Sequence, residues 1–326
     1  MYPLKFKPIY FEKIWGGRGL EWLKDDLPDG NIGESWELAC HDNGINVISN
    51  GAMAGKKLSD AVDEYGLTLL GHAIDPSVFP LLIKLIYARE PLSVQVHPND
   101  DYARIHAGEL GKTEAWYIIK AEPGAKLIVG TKAGLTQAQF AREIEKGTLE
   151  TSLNELEVFD GDVVFVKSGL VHAIGGGILL AEVQQNSDTT YRVYDYNRGR
   201  EIHVDRALDV VDFDLAGKKS GGLTVKKAGY DKTYHCLCKE FSLEIYHIHD
   251  FLEESSDAAR FFVFTCVDGG GSIFYDGGRE TLQVGETVLI PANLGIYRIE
   301  GNMKLIKSYV PDVAQVERAV LEEIEA

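Results

Sequence analysis

The run Leu92-Ser93-Val94-Gln95-Val96-His97 alternates apolar and polar residues. In a strand, Leu92, Val94 and Val96 therefore share one face, and Ser93, Gln95 and His97 share the other. If that second face lines an interior, Gln95 and His97 must find partners there, and a metal ion satisfies both at once. A second imidazole follows the turn Lys167-Ser168-Gly169-Leu170-Val171-His172. Between them, Glu114 in Gly111-Lys112-Thr113-Glu114-Ala115-Trp116-Tyr117 opens a strong strand signal and is the candidate carboxylate. Gln95, His97, Glu114 and His172 together offer two imidazoles, one carboxylate and an amide oxygen. That N/O set without thiolate suits one Zn2+ per chain, and Fe2+, Mn2+ or Co2+ could use the same donors. With a divalent ion bound, its net charge of about +1 makes a local positive field. His41, His72, His106 and His203 have no such company. His247 and His249 form an H-x-H pair without an acid partner and read as structural or exposed.

A β framework must position these groups. Short β-rich runs at 81–86, 93–97, 116–120, 127–129, 162–166 and 178–184 are separated by Gly, Pro, Asn or Asp, and the same texture returns at 241–247, 260–267, 271–275 and 286–290. Helical spacing is confined to a few places. Leu58, Ala61, Val62 and Tyr65 make one apolar face, with Ser59 or Asp60 as cap. A second helix runs from the cap Thr136 to the stop Gly147. Residues 149–156 read as a third helix, and 313–326 as an amphipathic tail.

The segment Gly161-Asp162-Val163-Val164-Phe165-Val166 lines up with Gly285-Glu286-Thr287-Val288-Leu289-Ile290, 124 residues on. Each is followed by a turn and a second strand, which places Ile296 opposite His172. Both copies resemble the second sequence motif of the cupin family, Gly-x5-Pro-x-Gly-x2-His, which the first copy matches with Lys167 in the Pro position and the second with Asn293 and Ile296 in the last Gly and His positions. The expectation is a mainly β chain of two cupin-like jelly-roll barrels with a few short helices. A metal-binding catalytic domain would span 1–217 and a second domain, lacking the metal site, 223–326. The boundary falls in the polar stretch Lys218-Lys219-Ser220-Gly221-Gly222.

Composition limits the partners. In 326 residues, 33 Lys and Arg face 50 Asp and Glu, a net charge of −17. That field disfavours nucleic acid and anionic membrane, and any anionic ligand needs a local cationic cluster. Four cysteines without a disulfide pattern suit a reducing cytoplasm, and the first residues, Met1-Tyr2-Pro3-Leu4-Lys5-Phe6-Lys7, carry no apolar leader. The expected location is cytoplasmic, and the sequence leaves a homodimer open.

The run from Tyr87 to Asp100 with Pro91-Leu92-Ser93-Val94-Gln95-Val96-His97-Pro98 at its centre, then Gly111-Lys112-Thr113-Glu114, then Gly169-Leu170-Val171-His172-Ala173-Ile174-Gly175, resembles type I mannose-6-phosphate isomerases. Ile14-Trp15-Gly16-Gly17 and Gly33-Glu34-Ser35-Trp36-Glu37 are similar to that family's N-terminal segments. The resemblance covers roughly residues 5–200. It implies a zinc enzyme on a cupin scaffold, with Gln95, His97, Glu114 and His172 as ligands and a sugar phosphate as substrate. Asn186-Ser187-Asp188-Thr189-Thr190-Tyr191-Arg192 resembles the segment with the catalytic arginine, which puts that role on Arg192. Lys84 and Lys112 match lysines that line the family's active site. Longer members have His-Lys-Pro-Glu where this chain has Gly111-Lys112-Thr113-Glu114, so no base role carries over from that His. Only 58 residues separate Glu114 from His172, too few for their helical insertion. After Arg192, Val193-Tyr194-Asp195-Tyr196-Asn197-Arg198 replaces their Gly-Leu-Thr-Pro-Lys, so their phosphate contacts do not carry over either. The pattern is that of a short, bacterial-type member.

The implied reaction, mannose 6-phosphate to fructose 6-phosphate through an enediol, needs a base, an electrophile at the carbonyl and a cationic stabiliser. Glu182, Asp188 and Lys112 are the candidate bases, and Glu182 and Asp188 are also counted among the substrate-binding residues. Alternation puts Arg192, Tyr194, Tyr196 and Arg198 on one basic-aromatic face. Two other readings are a cupin-type Fe2+ oxygenase, disfavoured by Gln95 and the lack of an H-x-H pair beside the acid, and a non-catalytic sugar-binding cupin.

Overall fold

The apolar-polar alternation and its Gly- and Pro-rich turns are realised as three large antiparallel sheets in a computed structural model that describes residues 1–325, so the last residue of the expected tail, Ala326, lies outside the described residues. One sheet has six strands in the spatial order Val163–Val166, Glu114–Ala121, Ile178–Gln185, Leu81–Ala88, Ile32–Leu38 and Ile9–Gly17. Facing it is a five-stranded sheet in the order Leu153–Glu157, Lys126–Thr131, His172–Ile174, Val94–Val96 and Tyr191–Tyr194. Ile86, Trp116, Ile118 and Leu180 of the first meet Leu127, Val129 and Ile174 of the second. Burying each such side chain is worth roughly 1.5–3 kcal/mol. The outer face of the five-stranded sheet is covered as well: Val94, Val96, Val171 and Ala173 pack with Phe140 of helix Gln137–Lys146 and Ala207 of helix Val204–Val210. The strand carrying Gln95 is therefore buried on both faces, and its polar face must be satisfied inside.

Helix Gln137–Lys146 starts and stops where its sequence signals stand. Thr136 and Gln139 form a reciprocal capping box, and Gly147 ends the helix in the left-handed region at φ 67°. Helix Leu58–Tyr65 buries Leu58, Ala61 and Val62, with the Asp60 carboxylate accepting from the Lys57 backbone N–H. Residues 149–156 are not a helix. A single 3-10 turn, Leu149–Ser152, leads into the strand Leu153–Glu157, because the free edge of Lys126–Thr131 offers it a ladder.

The ten-stranded sheet gathers the C-terminal residues around a spine ordered Leu223–Lys227, Tyr230–Leu237, Ser242–Ile248, Ile296–Tyr309, Phe262–Tyr275 and Thr287–Ile290. Beyond Thr287–Ile290, the N-terminal strand Leu4–Lys7 joins in, with Leu4 opposite Leu289. The runs 260–267 and 271–275 form one strand, Phe262–Tyr275, whose register with Ile296–Tyr309 shifts between Cys266 and Asp268, just before Gly269. There φ is 71°, and a Cβ would sit 2.1 Å from the Asn302 carbonyl oxygen, so only glycine fits. The outer face of the six-stranded sheet (Leu81, Ile83, Leu85, Ala181, Val183) packs against Leu243, Ile245, Val263, Leu289 and Ile306, so a large core lies between the two halves. Lys218-Lys219-Ser220-Gly221-Gly222 hugs the first half on its way across: Ser220 N–H donates to the Val163 carbonyl at 2.7 Å, and Lys219 pairs with Asp162 at 2.7 Å.

The internal repeat extends well beyond the motif that reveals it. Six strands follow one another in the same chain order in each half and take the same spatial order: Ile9–Gly17, Ile32–Leu38, Leu81–Ala88, Glu114–Ala121, Val163–Val166 and Ile178–Gln185 against Leu223–Lys227, Tyr230–Leu237, Ser242–Ile248, Phe262–Tyr275, Thr287–Ile290 and Ile296–Tyr309. Gly161 and Gly285 both turn in the left-handed region, at φ 89° and 80°. The sequence alignment fails at one place. Ile296 is 67% exposed, while its neighbour Tyr297 faces the core, so the interior position is held by Tyr297.

Candidate active site

Residues directly opposite one another in an antiparallel ladder share a face. Val129, His172, Gln95 and Arg192 are successive partners across four strands of the five-stranded sheet. In the six-stranded sheet, Trp36, Lys84, Glu182 and Trp116 form a matching row, and Glu114 lies two residues from Trp116 on the same face. The polar faces of both sheets therefore look into the same space.

His97, Glu114 and His172 converge there, each no more than 1% exposed, with one donor atom apiece within 4.8 Å of the others. The His97 and His172 Nε2 atoms are 3.1 Å apart, Glu114 lies 3.5 Å from His97 and 3.4 Å from His172, and the Gln95 amide is 3.4 Å from His172. Donors around Zn2+ at about 2.0–2.1 Å stand roughly 3.3 Å from one another in a tetrahedron, so the spacing of His97, Glu114 and His172 fits, and the Gln95 atom beside them is its amide nitrogen. The remaining nitrogens are tied outward: His172 Nδ1 meets the Leu170 carbonyl at 2.8 Å and His97 Nδ1 the Thr189 carbonyl at 3.1 Å. Nδ1–H donation to those carbonyls turns both Nε2 lone pairs inward. Both Glu114 oxygens are buried and accept no hydrogen bond. Burial, with Lys112 nearby, holds His97 well below the usual imidazole value and His172 at about 3, so both rings are neutral. Burial, with the Glu182 charge beside it, pushes Glu114 up to about 8. A cation at the centre supplies what this carboxylate lacks.

Beside this cluster a cavity of about 200 Å3 is lined by Gln95, Lys112, Lys84, Glu182, Asp188 and Arg192, and also by Lys13, Trp15, Glu34, Ser93, Thr190 and Arg200. Lys84 Nζ lies 3.6 Å from Glu182, 3.9 Å from Glu34 and 5.0 Å from the centre of the Trp36 ring. Burial alone would lower Lys84, but Glu34 and Glu182 outweigh it and raise it. Burial would likewise raise Glu34, yet Lys84, Lys13 and the Trp36 indole N–H bring it down to about 2. Glu182 accepts the Trp116 indole N–H at 2.9 Å. Lys112 Nζ turns toward Glu114 at 3.5 Å, while Asp188 sits at the rim and accepts from Asn43 at 2.9 Å. Arg192 donates from Nε to Ser93 Oγ at 3.2 Å and from Nη1 to the Glu201 carbonyl at 2.9 Å.

The structure thus places the candidate ligands Gln95, His97, Glu114 and His172 beside Lys84, Lys112, Glu182, Asp188 and Arg192. It departs on the face after Arg192. The strand ends at Tyr194, and Tyr196 and Asn197 take left-handed conformations at φ 51° and 57°, so Tyr196 and Arg198 do not continue that face. The reversal carries Arg200 into the cavity instead. Lys13, Glu34 and Arg200 are the charged lining residues that residue types alone did not reveal. The Tyr196-Asn197-Arg198-Gly199 turn chemistry was the available signal for Arg200. Ser93 shares its strand face with Gln95 and His97. His247 and His249 meet edge to face 4.4 Å apart on the exposed surface, and His249 does have an acid beside it, Asp231 at 3.7 Å, but no cluster like that of His97.

A family model for the catalytic domain of type I phosphomannose isomerase matches residues 4–133, and one for the mannose-6-phosphate isomerase cupin domain matches 230–310. The chain is 36% identical over 315 residues to mannose-6-phosphate isomerase ManA of Bacillus subtilis, covering 94% of this chain and 99% of that relative. A mannose-6-phosphate isomerase of Streptococcus mutans is 34% identical, with 94% and 98% covered. The crystal structure of a mannose 6-phosphate isomerase from Bacillus subtilis superimposes with a TM-score of 0.88 at 32% identity, covering 94% of this chain and 99% of that one.

Proposed function

The chain belongs to the type I phosphomannose isomerase family, and from that premise we propose that it interconverts mannose 6-phosphate and fructose 6-phosphate with one Zn2+ held by Gln95, His97, Glu114 and His172. The observation that carries this reading is the orphaned Glu114 carboxylate between two inward-turned imidazoles, beside a cationic cavity in an otherwise acidic protein. Five cations and three carboxylates line that cavity, against the net −17 of the whole chain. A small anion is drawn there, where a polyanion would be repelled.

When bound, the ion supplies Lewis-acid polarisation of the substrate carbonyl and the adjacent hydroxyl. The protein's own groups do the rest. Glu182 is the base that moves the proton between C1 and C2: its carboxylate is buried in the cavity, whereas Asp188 is at the rim and Lys112 is turned onto Glu114. Trp116 and Lys84 fix its orientation. Arg192 stabilises the enediolate, its fixed charge interacting more strongly with that species than with the neutral carbonyl. Lys84 and Lys112 bind the substrate hydroxyls.

The repeat supports a finer architecture of two cupin-like jelly-roll barrels, 1–217 and 223–326, with Leu4–Lys7 lent by the first to the second sheet. No described helix is long and apolar enough to cross a membrane, and the four free thiols suit a cytoplasmic enzyme. The test is turnover of mannose 6-phosphate by purified protein. Activity should vanish on chelation and return with Zn2+, and metal-replete protein that fails to turn over refutes the reading.

A further inference from the structure

Long and short members of this family differ right after Arg192, and the structure shows what the shorter segment builds. Tyr194 ends its strand, and the left-handed pair Tyr196 and Asn197 reverses the chain. The returning residues run beside the strand Tyr191–Tyr194: His203 N–H donates to the Arg192 carbonyl at 2.7 Å, and Arg192 N–H to His203 Nδ1 at 3.1 Å. Asp195, only 4% exposed, anchors the reversal. It accepts from Arg198 Nη2 at 2.9 Å, from Arg200 Nε at 2.9 Å, and from Arg200 Nη2.

The two arginines then part. Arg198 gives its Nη1 to the Pro91 carbonyl at 2.8 Å and lies against the Tyr196 ring, which spends its fork on the protein. Arg200 lines the cavity, and its Nη1 has no partner among the described residues. Arg192 lines the same cavity and keeps Nη2 free. Two guanidiniums facing one pocket repel each other, and burial together with Arg200 pulls Arg192 below its usual value. An anion held by Arg200 Nη1 at the outer end of the pocket relieves that repulsion and leaves Arg192 Nη2 for the reacting end.

We propose that Arg200, braced on Asp195 beside Arg192, binds the phosphate of the sugar phosphate and so takes the place of the lysine-bearing segment of longer members. The geometry fits a ligand reacting at one end and charged at the other. Gln95 of the metal cluster and Arg192 are direct cross-strand partners, and the Arg200 segment lies one strand position further out. Each such step is about 4.8 Å. The reacting carbons thus lie at the metal end and the phosphate at the Arg200 end. Asp195 acts as a positioning residue, holding the guanidinium toward the pocket.

This inference rests on the sugar-phosphate reading, so its test separates the two. Arg200→Ala and Arg200→Gln should raise KM for mannose 6-phosphate about 10- to 100-fold, the effect of losing a charge-assisted hydrogen bond, with the loss carried by KM rather than kcat. Arg200→Lys should recover part of it. Calorimetric titration with mannitol 6-phosphate, which cannot isomerise, should weaken by a similar factor, while the weak binding of mannitol stays as in the wild type. A KM and a mannitol 6-phosphate affinity within twofold of wild type in the folded variants would overturn the assignment, as would a loss confined to kcat. If the wild type binds mannitol 6-phosphate but does not isomerise mannose 6-phosphate, the reaction assignment fails and the phosphate assignment stands or falls on the titration alone.

Discussion

The two halves of the molecule carry the same cross-strand row with its charges exchanged. In the N-terminal half the row reads Trp36, Lys84, Glu182, Trp116, Val164; in the C-terminal half it reads Tyr234, Glu244, Lys307, Phe264, Val288. Aromatic residues flank two charges in both. In the C-terminal half the interior cation is part of the chain. Lys307 Nζ pairs with Glu254 at 2.6 Å and sits 4.1 Å from the centre of the Phe262 ring, with Phe264, Tyr246 and Tyr309 around it. Glu254 also accepts from Tyr246 at 2.9 Å and Tyr297 at 2.8 Å, and Glu244 accepts from Tyr309 and pairs with Lys232 at 3.1 Å, with the Tyr246 hydroxyl oxygen 3.1 Å away. Neither carboxylate has a buried oxygen without a partner, whereas Glu114 has two. One interior has its carboxylates satisfied by the chain's own donors, and the other keeps the Glu114 carboxylate without a hydrogen-bond donor beside a cavity of about 200 Å3. The difference between the two halves lies in whether the buried charges are already satisfied.

Substitutions at equivalent places should therefore fail in different ways. The largest effect belongs to the metal cluster. His172→Ala should lower kcat by roughly 10^3-fold or more, the several kcal/mol that Lewis-acid polarisation contributes, and metal analysis should show less than one ion per chain. Glu182→Gln should cost about 10^2- to 10^4-fold in kcat per folded molecule, with metal content close to wild type. Its row-mate in the other half behaves oppositely. Lys307→Met strands Glu254 and should destabilise the fold by about 3–5 kcal/mol in urea, while kcat per folded molecule is retained. The double variant Lys307→Met, Glu254→Gln should recover much of that loss. If Lys307→Met were catalytically dead but stable, the contrast between the halves would collapse.

A smaller effect is read in acid. The Glu34 carboxyl is depressed from 4.5 to about 2, so its contribution is fully present above about pH 4.5 and is lost as pH falls toward 2. That shift corresponds to roughly 3 kcal/mol. Glu34→Gln should flatten the dependence of stability on pH across that window, and a profile parallel to wild type would remove Glu34 from the network.

Much of the catalytic half was legible because its chemistry is written locally. The alternation at 92–97 dictates which side chains look inward, and capping at Thr136 and Gly147 marks one helix to the residue. The His97, Glu114 and His172 cluster was legible because Glu114 and His172 open strands after turns, while His97 ends a short alternating run that shows which way it faces. What was hidden depends on pairing across long distances. Lys13 and Glu34 enter the cavity through the sheet partners of Ile9–Gly17 and Ile32–Leu38. Arg200 enters through a chain reversal after Tyr194. Residues 149–156 have helical composition, yet a sheet edge overrides it. At Ile296 a constant offset hides a local slip, and the inward residue is Tyr297. The Lys307 network escaped notice because its charges are scattered over strands that meet only in the folded sheet.

The central claim, that this chain moves a proton between the carbons of a 6-phosphosugar beside a protein-held metal ion, is tested most directly by NMR of fructose 6-phosphate in D2O. Zinc-loaded protein should introduce deuterium at the exchanging carbon as mannose 6-phosphate appears, chelated protein should do neither, and reloading should restore both. Loaded protein that leaves those hydrogens untouched, or exchange that is indifferent to the metal, would contradict it.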